Sequence, residues 1–172
     1  MVFRQLFSRQ ATPAQASSSA VSQVLPADAQ QRLSARVSDS ERLHCGEIRL
    51  CVEAAMPPSY VERQAPARER ALSLFGKLRV WDTEHNNGVL IYLLLQEHAI
   101  EIIADRGFNR HVPQAEWTHI TQRMCEPLRQ GKYEQALGIA LNDVTTLLAT
   151  HFPPNPHRPR LNELPDAPVI LG

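Results

Sequence analysis

Two short clusters in this chain carry side chains able to hold an ion. One runs Asp82, Thr83, Glu84, His85, Asn86, Asn87, Gly88; the other is Asp105, Arg106, Gly107. Oxygen ligands drawn from separate loops suit a hard divalent cation such as Ca²⁺ or Mg²⁺, and Asp82, Glu84 and Asp105 are the candidates. The same residues also read as ordinary loop acids, Asp82 opening a turn or a cap and Asp105 pairing with Arg106 or Arg110. The second cluster has two readings as well. Arg106 and free backbone N–H groups would hold an anion, or the three residues make a tight strand exit with Gly107 at positive φ. His44 and Glu47 form a further polar pair upstream.

Other chemistries find little support. No GxGxxG, P-loop, HExxH or GxSxG pattern occurs, which removes the familiar nucleotide, zinc-protease and serine-hydrolase signatures. Cys45, Cys51 and Cys125 are odd in number and contain no CxxC pair, which argues against a disulfide framework or a thiolate zinc site. They read as small apolar residues in a reducing compartment. His119 lies six residues before Cys125, so the two do not share a helix face and make no nucleophile–base pair.

The elements that must position these groups are legible in the hydrophobic pattern. A helix follows Asp28, with Leu33, Val37 and Leu43 as a thin inward stripe. Residues 47–53 alternate polar and apolar, as in a strand with one buried face. A second helix starts at Pro66 and buries Ala67, Ala71, Leu74, Phe75 and Leu78; Gly76 within it argues for close packing there. The run Val89 to Leu95 is apolar on both faces, which predicts a central strand covered on both sides. Ala99 to Ala104 is its return strand across Gln96, Glu97 and His98. Two more helices follow. One is marked by Trp117, Ile120, Met124 and Leu128. The other has a wide apolar face from Tyr133 to Leu148 and ends at His151, Phe152, Pro153.

Helix, strand, helix, strand, strand, helix, helix gives a three-layer α/β/α sandwich with a small mixed sheet: the first two strands parallel by a right-handed crossover, the third antiparallel. That topology brings the start of both parallel strands and the end of the return strand to one edge. His44, Glu47, Asp82, Glu84, His85, Asn86, Asn87, Asp105 and Arg106 would meet there. The usual ligand position at the carboxyl ends of parallel strands holds Glu53, Gln96, Glu97 and His98, a poorer set.

The chain has 172 residues, 43% of them hydrophobic and 21% charged, with 18 basic and 18 acidic residues. This is the profile of one globular domain, without the basic field that nucleic-acid binding uses. No apolar run approaches the roughly 20 residues of a membrane span, and no secretory signal stands at the start. Residues 1–26, rich in Ser, Ala and Gln, read as a disordered tail. That tail has the composition of a transit segment or offers an amphipathic membrane toe-hold through Val2, Phe3, Leu6 and Phe7. Six prolines from 153 to 168 predict an extended, polyproline-like tail over residues 153–172. The domain proper is expected at 27–152, cytoplasmic or peripheral to a membrane.

From His44 to Phe152 the sequence resembles the TPM domain family, which includes a thylakoid acid-phosphatase-like protein and a photosystem-repair factor. His44-Cys45-Gly46-Glu47-Ile48, Arg70-Ala71 with Leu74-Phe75, and Trp81-Asp82-Thr83 carry the likeness. So do Asn87 through Tyr92, Ile103 through Phe108, Trp117, and His151-Phe152-Pro153, the last matching a bacterial branch. The resemblance implies an α/β/α domain, and a family in which phosphatase activity and divalent-cation binding have been proposed and many members are membrane-tethered or exported. Of the candidate metal ligands, only Asp82 and Asp105 lie inside its matched motifs. Three functions follow as expectations. The first is an accessory domain binding Ca²⁺, Mg²⁺ or a protein partner at the polar edge, with His44, Glu47, Arg106 and Gly107 contributing. The others are a metal-assisted phosphomonoesterase and a peripheral-membrane scaffold.

Overall fold

The computed structural model describes residues 2–6, 18–157 and 161–172. Its centre is the pair predicted from the apolar runs, β3 (Val89–Leu94) and β4 (Ala99–Ala104), antiparallel and fully buried. A tight turn joins them, with His98 at φ 48°. β2 (Ile48–Glu53) lies parallel to β3 on the other side. Two strands were not expected. β1 (Val2–Leu6) pairs antiparallel with β4, and β5 (Val169–Leu171) pairs parallel with β2, giving the order β1-β4-β3-β2-β5.

Alternation along each strand sorts side chains to two faces. Ile48, Leu50, Val52, Val89, Ile91, Leu93, Ile100 and Ile102 form one core with α1 (Ser18–Val24), α2 (Ala27–Ser40), α5 (Gln114–Arg129) and α6 (Tyr133–His151). Cys51, Leu90, Tyr92, Leu94, Ala99 and Ile103 form the other, under α4 (Ala67–Lys77); the short α3 (Pro58–Glu62) adds Tyr60 at its margin. The architecture is thus the expected three-layer α/β/α sandwich on a mixed sheet.

Composition misled at both ends. Residues 18–26 do not form a disordered tail: Val21 and Leu25 are fully buried against the sheet, which outweighs the polar residues around them. Backbone of Val2–Leu6 is strand, so that part of the proposed membrane toe-hold is built into the sheet edge. Residues 1 and 7–17 lie outside the described residues. Nor is 153–172 simply a solvated polyproline tail. Residues 153–157 are exposed, but Leu164 is buried and Val169–Leu171 complete the sheet. Prolines 165 and 168 are compatible with this because the strand sits at an edge.

Two glycine expectations also change. Gly107 has no positive φ; it is required because a Cβ there would lie 2.5 Å from the Asn86 carbonyl oxygen. Gly76 is not close-packed, since a Cβ would meet nothing within 4 Å.

Candidate functional site

The expected polar edge assembles at the head of the sheet. The main chain of Val89 donates to Glu47 O at 2.9 Å and that of Asp105 to Gly88 O at 3.0 Å, so the three segments run side by side. Gly107 N donates to Asn86 O at 2.9 Å and Arg106 Nε to Asn86 Oδ1 at 2.9 Å, tying the second cluster to the first. Asn86 itself sits at φ 53°, a conformation asparagine tolerates better than most residues.

The acids at this head are apart from one another. Asp82 faces Arg79 across a half-exposed ion pair of 3.2 Å. Glu84 is exposed on the same loop, its backbone N–H donating to the Glu163 carboxylate at 3.1 Å. Asp105 caps the 3₁₀ turn Arg106–Arg110, accepting from Arg106 N at 2.7 Å. Glu47 and Asp105 both lie next to Gly88, one on each side, and the Val80 carbonyl is pressed onto Gly88: a Cβ on Gly88 would come within 2.0 Å of it. Among the described residues no three His, Cys, Asp or Glu side chains are grouped to hold a metal. The backbone N–H groups of 106 and 107, which an anion would use, already donate to Asp105 Oδ1 and to Asn86 O.

His44 and Glu47, expected as ligand-binding residues, are fully buried and serve the fold. Gly46 N donates to His44 Nδ1 at 3.2 Å; His44 Nε2 lies 2.9 Å from Ser40 Oγ, which lies 2.6 Å from Thr145 Oγ1. Thr145 in turn donates to Leu141 O at 2.6 Å. With the proton on Nε2, every group in this chain donates once, and α2, α6 and the entry to β2 are linked. Glu47 accepts the successive backbone N–H groups of Glu163 (3.3 Å) and Leu164 (3.1 Å), anchoring the returning 161–171 segment.

The most buried ion pair among the described residues was missed and lies at the other end of β2. Arg70 of α4 embraces Glu53 through Nη2 (2.7 Å to Oε1) and Nε (3.0 Å to Oε2), and Tyr92 donates to Glu53 Oε2 at 2.6 Å. Tyr60 packs against the guanidiniums of Arg63 and Arg70, 4.5 and 5.3 Å from its centroid. The Glu53 hydrogen bonds hold the Arg70 proton even more firmly than usual, while burial and then Glu53 push the Tyr92 hydroxyl up. Arg70 on the inward stripe of α4, among Ala67, Ala71 and Leu74, was the available clue: an arginine facing a core demands a carboxylate.

Burial also sets the thiols. Cys51 is pushed up to about 12 by desolvation and then by Glu53, and Cys125 is raised by desolvation. Both stay protonated, which fits the structural role read from the sequence.

Fold and head together define a small three-layer α/β/α domain whose polar face is made by loops at the amino ends of its parallel strands. The chain belongs to the TPM domain family, whose match covers residues 19–147. It is similar in structure to the BA42 protein of the psychrophilic bacterium Bizionia argentinensis, solved by NMR. The TM-score is 0.73 at 26% identity, over 84% of this chain and 94% of that one. It also shares its fold with the N-terminal domain of a P. gingivalis protein, at TM-score 0.60 and 19% identity over 86% and 99% of the two chains. No curated protein matches it. Among the described residues no helix is long and apolar enough to cross a membrane.

Proposed function

We propose that this TPM domain is an accessory binding module that engages a divalent cation or a protein partner at the polar head. Asp82, Glu84 and Asp105 supply the carboxylates, with Arg106 and Gly107 beside them. The observation that supports this is the hydrogen-bonded assembly of the three segments at one end of the sheet, with Asp82, Glu84 and Arg106 on its outside. The buried thiols, held protonated, supply no activated nucleophile to go with them. A cation would have to draw Asp82 from Arg79, an exposed pair of the kind that contributes little. With its carboxylates not preassembled, the head would bind in roughly the 10⁻⁴–10⁻³ M range of weak calcium modules. Titration with Ca²⁺ and Mg²⁺, followed by backbone amide shifts, tests the cation reading: the amides of Asp82, Glu84 and Asp105 should move together at millimolar ion. Stationary amides at that concentration remove it.

A second reading, metal-assisted phosphomonoester hydrolysis, draws support from Arg106, whose guanidinium Asn86 anchors at the head. Mg²⁺-dependent turnover of a chromogenic phosphate ester that is lost in Asp105→Ala would favour it. Turnover unchanged by that substitution would dismiss these residues.

A further inference from the structure

We propose that the cavity between α2 and α6, none of whose lining residues belongs to the polar head, binds a free aliphatic α-amino acid of about the size of leucine. Its lining supplies donors, acceptors and apolar surface, and such a zwitterion presents the complement of each.

The donors are arranged around one arginine. Arg36 of α2 crosses to α6, where its Nη2 donates to Gly138 O at 3.0 Å and to Asn142 Oδ1 at 3.1 Å. Gly138 is what lets it lie there, since a Cβ at that position would run into the guanidinium. Glycine is a poor residue for a helix interior, so α6 gives up intrinsic stability at the point where Arg36 is seated. The guanidinium is thereby fixed while its Nε and Nη1 keep no acceptor among the described residues. Asn142 accepts from Arg36 through Oδ1, which leaves its amide protons to give. Both residues line the cavity. A carboxylate is the group that accepts from a guanidinium and an amide together.

Asp39, Ser40 and Thr145 supply the acceptors. Ser40 Oγ and Thr145 Oγ1 each spend their one proton inside the fold, in the relay that runs from His44 to Leu141 O. What each hydroxyl retains is a lone pair. Asp39 is held by Arg42 in an exposed i, i+3 pair at 3.3 Å, the kind that yields readily. Asp39 and Ser40 also stand at the C-terminal end of α2, where the helix dipole favours positive charge. An ammonium group fits beside them; a second anion does not.

Leu43 and Leu141 complete the lining. Leu141 belongs to the core, but Leu43, expected on the inward stripe of α2, is 58% exposed and offers its surface to an aliphatic chain. The cavity measures about 220 Å³, below the roughly 300–1,000 Å³ of pockets that hold drug-sized ligands. An amino acid carries both charges on one carbon with its side chain beside them, so it meets all three sets at once. A peptide end carries only one of the two charges.

The test is titration of the isotopically labelled full chain with L-leucine, followed by backbone amide shifts. The amides of Arg36, Asp39, Leu43, Asn142 and Thr145 should move together and saturate at millimolar leucine. Isocaproate, which lacks the ammonium, and isoamylamine, which lacks the carboxylate, should each bind weaker by about tenfold or more. Asp39→Asn should lower leucine affinity by about tenfold without lowering that of isocaproate, a split that loss of folding would not produce. Gly138→Ala, which displaces Arg36, should weaken leucine and isocaproate alike; Arg36→Gln serves if circular dichroism shows Gly138→Ala unfolded. Amides that stay still at millimolar leucine overturn the proposal. Equal binding of isocaproate, which would make this a plain carboxylate site, also overturns it, as does leucine binding indifferent to Asp39→Asn.

Discussion

Arg70 reaches from α4 onto the sheet and clasps the Glu53 carboxylate through two nitrogens, at 2.7 and 3.0 Å, with both side chains almost wholly withdrawn from solvent. Tyr92 completes the clasp from β3. Three elements, α4, β2 and β3, are thereby fixed to one another by a polar group inside an apolar layer.

Breaking that clasp from one side should be costly. Arg70→Met leaves the Glu53 carboxylate buried without its cation, and should lower unfolding free energy by about 3–5 kcal/mol. Tyr92→Phe, which removes one hydrogen bond to a charged acceptor, should cost about 1.5–3 kcal/mol. The double change Arg70→Met with Glu53→Gln should cost less than the sum of its parts. Urea unfolding of wild type, Arg70→Met, Glu53→Gln, their double variant and Tyr92→Phe decides the matter; additive losses for Arg70→Met and Glu53→Gln would mean the pair is not coupled.

The glycines separate cleanly by what surrounds them. Gly88→Ala would drive a methyl group into the Val80 carbonyl, and should destabilise the fold by about 3 kcal/mol. Gly76→Ala meets open space in a helix and should stabilise it by roughly 0.8–1 kcal/mol. Thermal melts that rank these two the other way would contradict the placement of Val80 against the sheet.

Alkaline pH should unlock the α4 side of the sheet. Cys51 is raised from its ordinary 9.0 to about 12, and Tyr92 is raised as well. For a group whose folded value is raised, the unfolded chain loses its proton first. The stabilisation is therefore complete below the unfolded value and lost as pH climbs toward the folded one. Stability should hold below pH 9 and decline from 9 to about 12, by about 1.4 kcal/mol per pH unit for each group in its window. Cys51→Ala should flatten the early part of that decline. At neutral pH a thiol reagent should label half-exposed Cys45 well before Cys51 or Cys125.

What could be read from the residues, and what could not, follows from the range of the interaction involved. Ile48, Leu50 and Val52 alternate, and Val89 to Leu94 do not; those local patterns were enough for two neighbouring strands and hence for the layers, but not for the second face of β2, where Cys51 and Glu53 are buried as well. The convergence of the 44–47, 82–88 and 105–107 segments followed from topology. Whether their acids would touch did not, because each is claimed by a separate partner: Asp82 by Arg79, Asp105 by the Arg106 N–H, and Glu47 by the main chain of 163 and 164. Glu53, Arg70 and Tyr92 sit in three different elements, each explicable without the others. Leu164 and Val169–Leu171 were hidden by prolines, whose composition suggests a solvated chain, and Val21 and Leu25 by the serines and glutamines around them.

The position of β5 carries a consequence for how the molecule is made. Arg49 of β2 and the Ala167 carbonyl that it holds are 118 residues apart in sequence. On a ribosome, β2 emerges early and finds β3 soon after, yet its outer edge waits for almost the whole remaining chain. During that interval an apolar strand with unsatisfied donors and acceptors faces the cell, open to pairing with any neighbour. The interval before β5 closes the sheet is therefore when nascent chains are most exposed to aggregation.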